Sequence, residues 1–548
     1  MPTLLSKNIN RDAAVESWLG GRANASAIVV IFFGFLARLW AASGTFLNPD
    51  EALHFRLANQ LSLFQAYRES LTASHPPLLT FVLYFWRAGG TSELWLRMPS
   101  VVAGATFCWM FYKWLSRSAG SLAGLIGLFF VALLPPIVAL GAEIRQYALL
   151  LAFLASALYF LDEAFAKNSP GLIAAFSVCL YLAMLSHYSA FLFAAAIGVY
   201  ALIRIFRDRI SAKLIVVWSG GQLGALMFAI FLYKTHVAKL GAGESRTALQ
   251  GWMSDFFLRH SYFDPAHDHW LTFLTGHTFG VFQYFFGQLA AGVVMGLLFV
   301  TGVVWLLRAK SLPADYGSQR RLGILLLLLF AIACCSSIAH VYPYGGTRHV
   351  AFLIIPAMVG VSVAIARFSG GRWTRALAIA GIILIACIAF GKPRRPMMER
   401  ADQSRTNMAV AMEFIQHNVG VSDLIFTDYE SDLILGHYLC RQQPITIEAL
   451  SHDFESFLCG YHVVSASYKS PPLTSNSFPD LWNRLIETQD IEPGSTIWIF
   501  QAGWDAGLPE DLRSHSPEFH DLQFESFGNN IKIFKLIVGR PIPGSRIN

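Results

Sequence analysis

FLNPDEALHFRLANQ, residues 46–60, follows directly on an apolar run that begins near Ser26. Asn48 suits a helix N-cap, Pro49 suits the first helical position, and Glu51 falls three residues after the cap, the spacing of a capping box. Acidic residues in a first turn also complement the helix dipole. Capping is therefore one account of the adjacent carboxylates Asp50 and Glu51. Whether they do more depends on where the rest of the chain places them.

Of the 548 residues, 55% are hydrophobic and only 14% charged, with a mean hydropathy of +0.48. A soluble domain of this size carries about 25% charge, so the chain reads as a polytopic α-helical membrane protein. The net charge of +6 is spread without a long basic run or an aromatic-interleaved basic patch, which argues against a nucleic-acid partner. Runs close to the ~20 residues that cross a bilayer lie at 26–47, 97–116, 121–140, 147–165, 172–187, 190–207, 214–233, 279–307, 322–340, 349–367 and 377–391. They predict about 11 transmembrane helices. A shorter run, 76–88, carries Trp86 and Arg87 and reads as an interfacial helix. The first run ends in AASG (41–44), which resembles a cleavage site, but its apolar stretch is too long for a signal peptide.

With the N-terminus in the cytoplasm, 17 lysines and arginines fall in inner segments and ten in outer loops before residue 392. This bias predicts an N-in, C-out chain in the inner membrane, and puts Asp50 on the outer side. Three regions follow: a cytoplasmic segment 1–25, a membrane domain 26–391, and an extracytoplasmic α/β domain 392–548. In the last, DLIFT, STIWIF and IKIFKLIV read as strands and SDLILGHYL as a helix. Five cysteines (108, 179, 334, 335 and 387) lie in apolar runs, whereas Cys440 and Cys459 lie where a disulfide is chemically allowed.

The unusual polar residues collect on the outer side. Asp50, Glu51 and His54 come from the first loop, with Asp50 and His54 on one helical face. His75 precedes two prolines. Glu143, Arg145 and Tyr147 come from GAEIRQY (141–147), His187 and Tyr188 from SHYS (186–189), and Arg348 and His349 from YPYGGTRH (342–349). Taken singly, each has a structural account: the arginines as snorkelling anchors, His187 as a satisfied bundle histidine. Together they mark a site, because ionisable groups at membrane depth are costly. A carboxylate can accept the proton of an attacking hydroxyl, and arginine or histidine can neutralise a departing phosphate. With no ATP outside the membrane, the leaving group arrives activated on a lipid.

The segments NPDEALHFRLANQL, HPPLLTFVLYFW, SELWLRMPSVVAG, AEIRQYALLLAFLASALYFL and LSHYSAFLF occur in an order that resembles bacterial membrane glycosyltransferases of family 39. These include RgtA/B/C/D-like galacturonosyltransferases, and are similar to protein O-mannosyltransferases and the lipid A aminoarabinose transferase. The resemblance covers roughly residues 26–367. It implies the GT-C fold, a polyprenyl-phosphate-linked sugar donor, and inverting transfer on the outer face to an envelope glycan, lipid or protein acceptor. It implies catalytic roles for Asp50 and Glu143, and donor-phosphate binding by His75, Arg145 and Arg348. Glu51, His54, Tyr147, His187, Tyr188 and His349 are the remaining candidates for substrate contacts. TRHVAF departs from the Arg-Tyr pair commoner in the family at the position of Arg348. No dedicated metal-ligand spacing is present, although Asp50, Glu51, Glu143 and His54 are of types that ligate a divalent cation. Two other classes compete with an enzyme: a transporter or flippase for lipid-linked sugars, which predicts inverted repeats that the chain lacks, and a non-catalytic membrane scaffold.

Overall fold

The computed structural model describes residues 16–73, 75–208, 210–238, 258–309, 319–391, 404–420, 423–439, 443–445, 453–458, 460–504, 506–510, 512 and 519–538. Cys440 and Cys459 lie outside the described residues. In chain order the helices are α1 (Ala23–Ser43), α2 (Pro49–Ala58), α3 (Leu63–Ser70), α4 (Leu78–Trp86), α5 (Glu93–Ala119), α6 (Ser121–Leu133), α7 (Pro135–Leu140), α8 (Tyr147–Lys167), α9 (Pro170–Ser186), α10 (Ser189–Arg207), α11 (Ala212–Leu232), α12 (Trp270–Phe286), α13 (Leu289–Arg308), α14 (Gln319–Ile338), α15 (Ile354–Phe368) and α16 (Trp373–Phe390). After them come α17 (Arg405–Asn418), β1 (Leu424–Thr427), α18 (Tyr429–Leu439), β2 (Glu455–Leu458), β3 (His462–Ser465), α19 (Phe478–Thr488), β4 (Thr496–Ala502), β5 (Phe519–Ser526) and β6 (Ile531–Val538).

Among the described residues nine helices are long and apolar enough to cross a membrane, and α6 and α9 are shorter apolar helices at two further predicted crossings. The protein is a multipass membrane protein. One predicted run needs correction. Residues 279–307 are not a single span, because the chain breaks at Gly287, in the left-handed region at φ +77, and divides the run between α12 and α13. The glycine is needed twice over there: a Cβ would also lie 3.3 Å from the Cα of Gly391.

The described residues form two compact units: 16–41, 97–237 and 258–391 make a helical unit, and 42–96, 238 and 404–538 make a sheet-containing unit. In the helical unit, Pro135 and Pro136 end α6. Neither can donate to the carbonyl four residues earlier, so Val131 and Ala132 lose their helical partners. Arg38, 1% exposed in α1, supplies both: Nη2 donates to Val131 at 2.9 Å and Nη1 to Ala132 at 2.9 Å. Gly104 and Gly141 leave the room that the guanidinium occupies.

A second polar cluster lies at the C-terminal end of α8. Asp162 accepts from the indole of Trp114 at 2.8 Å and the hydroxyl of Tyr200 at 3.1 Å, and pairs with Arg204. Asp208 receives Arg204 at 3.2 Å and Arg321 at 2.5 Å. Glu163 pairs with Arg117 and with Lys167. The 21-residue α8 spans about 30 Å at 1.5 Å per residue, the thickness of a bilayer core. This ionic cluster and the polar residues before Tyr147 therefore mark opposite ends of one crossing.

In the other unit a six-stranded sheet has the order β2-β3-β1-β4-β6-β5. β1 pairs parallel with both β3 and β4, and the remaining pairings are antiparallel. Phe426, Val464, Ile497, Ile499 and Phe534 from the sheet bury against Phe478, Leu481 and Leu485 of α19. The chain leaves β1 for β3 on one side and then crosses to β4 on the other. The C-terminal ends of β1 and β4 thus flank a topological switch point, where open α/β sheets form crevices.

Candidate active site

Each unit presents its own set of the residues singled out in the sequence. In the sheet-containing unit the capping box is formed: the Glu51 amide donates to Asn48 Oδ1 at 3.0 Å, and the Asn48 amide donates to Glu51 Oε2 at 3.1 Å. Glu51 is fully buried, whereas Asp50 beside it is half-buried. His54, one turn on, is 3% exposed and its ring lies 5.7 Å from that of His75. The acidic helix start and the histidine before the double proline are thus brought together. His75 stands at the turn into α4, whose far end is fastened by the stacked rings of Trp86 and Trp95, 4.8 Å apart. Each of these indoles donates to the other's carbonyl.

In the helical unit the turn before α8 carries Glu143, Arg145 and Tyr147. The Arg145 amide donates to the Glu143 carbonyl at 2.8 Å, and Ser100 of α5 donates to the Arg145 carbonyl at 3.4 Å, fixing the turn. The Arg145 guanidinium is buried 5.8 Å from the Tyr147 ring centre. Tyr147 lies 5.2 Å from His187, and His187 6.3 Å from Tyr342 edge-on. The Tyr342 hydroxyl donates to the His349 carbonyl at 3.0 Å, tying in the turn that begins at Arg348. Tyr188, by contrast, stacks on Phe191 of its own helix, and nothing in its ring contacts joins it to this group.

His187 sits between α9 and α10 with Nδ1 2.8 Å from the Ser189 hydroxyl. Burial, then the charges of Arg145 and Arg348, lower its pKa to about 3. The ring is therefore neutral at physiological pH, and the fixed positive charge belongs to the two arginines. The same arginines, with Tyr147 and Glu143, act electrostatically on Tyr284 of α12. The Tyr147 hydroxyl and both polar atoms of the Gln146 carboxamide are buried without a hydrogen-bond partner among the described residues. Groups in that state hold capacity for a bound ligand. Gln146, Tyr284, Tyr342 and Ser100 were not singled out from sequence. Tyr342 lies within the polar YPYGGTRH stretch, but nothing in the pattern of the other three separates them from ordinary bundle residues. Among the described residues no group of three or more His, Cys, Asp or Glu side chains is disposed to hold a metal ion.

Residues 74–233 match the family described as dolichyl-phosphate-mannose-protein mannosyltransferase. No curated protein matches the chain. The fold is similar to that of ArnT from Cupriavidus metallidurans bound to undecaprenyl phosphate, with a TM-score of 0.51, 12% identity, and coverage of 93% of this chain and 97% of that one. The apo state of the same protein gives a TM-score of 0.50 at 14% identity, over 95% of this chain and 98% of that one. The Archaeoglobus fulgidus oligosaccharyltransferase follows at a TM-score of 0.47 and 11% identity, over 96% and 75% of the two chains. The family match begins one residue before His75 and runs through the turn that carries Arg145, while the shared architecture extends over nearly the whole chain. Residues 74–233 are thus similar to the protein mannosyltransferase family, and the fold over nearly the whole chain is the GT-C fold that ArnT also has.

Proposed function

We propose that the protein is an inverting transferase that takes a sugar from a polyprenyl-phosphate donor to a hydroxyl of an envelope acceptor, on the outer face of the inner membrane. The observation that carries this reading is the buried Arg145–Tyr147–His187 group, whose histidine is kept neutral by burial and by the charges of Arg145 and Arg348. Such a group suits a phosphate whose charge grows as its ester bond breaks. The ArnT relative holds undecaprenyl phosphate, a ligand of that chemistry.

In the reaction Asp50 removes the proton of the acceptor hydroxyl as its oxygen attacks the anomeric carbon from the face opposite the phosphate. The bond between that carbon and the phosphate oxygen breaks, and polyprenyl phosphate leaves with the electron pair. Arg145, Arg348 and His75 hold the phosphate, and Glu143 is the second catalytic carboxylate. His54, Tyr147, His187 and His349 line the substrates, while Glu51 serves the cap of α2 and Tyr188 packs on Phe191. Mass spectrometry of a deletion strain tests the reading. It should show a polyprenyl-phosphate sugar accumulating and one sugar missing from lipid A, core oligosaccharide, another envelope glycan or a protein. An unchanged envelope with no accumulated donor overturns it.

A further inference from the structure

Helix α2, which bears Asp50, docks on the switch point of the α/β sheet. Gly503, just past β4 at φ +143, has no side chain where a Cβ would lie 3.3 Å from Pro49 and 3.0 Å from the Glu430 carboxylate. The Leu47 amide donates to the Tyr438 hydroxyl at 3.1 Å. Phe55 meets the His437 ring edge-on at 4.9 Å. Arg56 Nη1 binds Asp432 Oδ2 at 2.6 Å with both side chains buried, and Gln60 donates to the Ile445 carbonyl at 3.1 Å. Tyr438, His437 and Asp432 all belong to α18, which starts two residues after β1 ends. The crevice in which an α/β domain would hold a ligand is thus filled by the helix that carries the acidic residue.

We propose that the C-terminal domain is a positioning device for Asp50, and that Asp432, through Arg56, is a positioning residue for transfer. The inference rests on Asp50 being the base. A buried ion pair contributes little net stability against its desolvation, but it fixes one geometry. Arg56 lies six residues, about 9 Å, along the same helix from Asp50. Tilting the helix at that end moves the carboxylate at the other. Displacing a catalytic group by about 1 Å can cost ~10²-fold in rate.

The test uses the full chain in nanodiscs, with lipid extract of the deletion strain as source of donor and acceptor. Asp432→Asn should lower the plateau rate at least tenfold, leave the half-saturating extract concentration within twofold, and leave the folded fraction unchanged. Asp432→Glu should recover at least a third of the rate. Gly503→Ala, which presses on Pro49 and leaves the ion pair intact, should also lower the plateau rate, by about threefold or more. A parental plateau rate per folded molecule in Asp432→Asn overturns the proposal. If that variant does not fold, a parental rate in Gly503→Ala overturns it. Asp50→Asn is the control: if it remains active, the base assignment itself has failed, whereas if it is inactive and the other two are parental, only the positioning role has.

Discussion

Arg38 donates to the carbonyls of Val131 and Ala132, the two that Pro135 and Pro136 leave without helical partners. Arg38→Met should therefore orphan the Ala132 carbonyl and leave that of Val131 only the weak Cys108 thiol donor at 3.8 Å, at about 1–3 kcal/mol, and lower the thermal midpoint of the solubilised protein. Arg38→Lys should be intermediate, since a point charge cannot fork to both. The sharper check is a double mutant. Replacing Pro135 and Pro136 with Ala restores two amide donors, so Arg38→Met should cost less in that background; equal costs would show that the guanidinium is not acting through those carbonyls.

Asp50→Asn keeps size and leaves the Asn48–Glu51 capping box intact. It removes the basic oxygen, so transfer should fall by about 10²-fold or more with normal membrane insertion. Glu51→Gln should act mainly on stability, because the Glu51 carboxylate is engaged by the Asn48 amide in the cap. A dead Glu51→Gln beside an active Asp50→Asn in the same transfer assay reverses the two roles.

Arg145→Ala should weaken donor handling about ten- to hundredfold, the equivalent of about 1.5–3 kcal/mol for a charge-assisted partner. The measurement is the half-saturating concentration of polyprenyl-phosphate sugar. An unchanged value would return Arg145 to the role of a snorkelling anchor.

The pKa of His187 is about 6.5 in an unfolded chain and is lowered to about 3 in the folded one. The unfolded state therefore binds the extra proton first as pH falls. Stability from the neutral ring is fully present above pH 6.5 and is lost as pH drops from there towards 3, at no more than about 1.4 kcal/mol per pH unit. Thermal midpoints measured from pH 7 to 4 should fall less steeply in His187→Gln than in the parent. Because the ring stays neutral from pH 5 to 8, that substitution should leave the shape of the kcat/KM pH profile unchanged over this range.

A reporter active only in the cytoplasm, fused after Asn548, should be silent. A bright fusion means that the number of crossings is wrong by an odd count.

The helices were legible because their signal is local: an apolar run of fixed length is required wherever a backbone crosses lipid. The cap at Asn48, Pro49 and Glu51 was legible for the same reason, since all its partners lie within four residues. The division of 279–307 was missed because an apolar window cannot sense one left-handed glycine inside it. In the sheet, β1, β4 and β6 are buried enough to read as apolar runs. β2 (ESFL) and β3 (HVVS) are too short to stand out. The candidate residues around Arg145 and His187 could be named from their cost at membrane depth. Arg56 could not, because it reads as one more loop cation until Asp432, 376 residues away, is placed beside it.

That separation imposes an order on assembly. At about 5–20 residues per second of synthesis, Asp432 emerges roughly 20–75 s after Arg56, when every membrane crossing has already been made. Ten residues are too few to hold a helix alone in water, so during that interval α2 relies on its packing against α3 and α4 alone. The ion pair with Asp432 is a contact of this helix that arrives late. A chain interrupted before Asp432 would lack that restraint on Arg56. Translation past Asp432 thereby supplies the restraint on a helix that starts at Pro49.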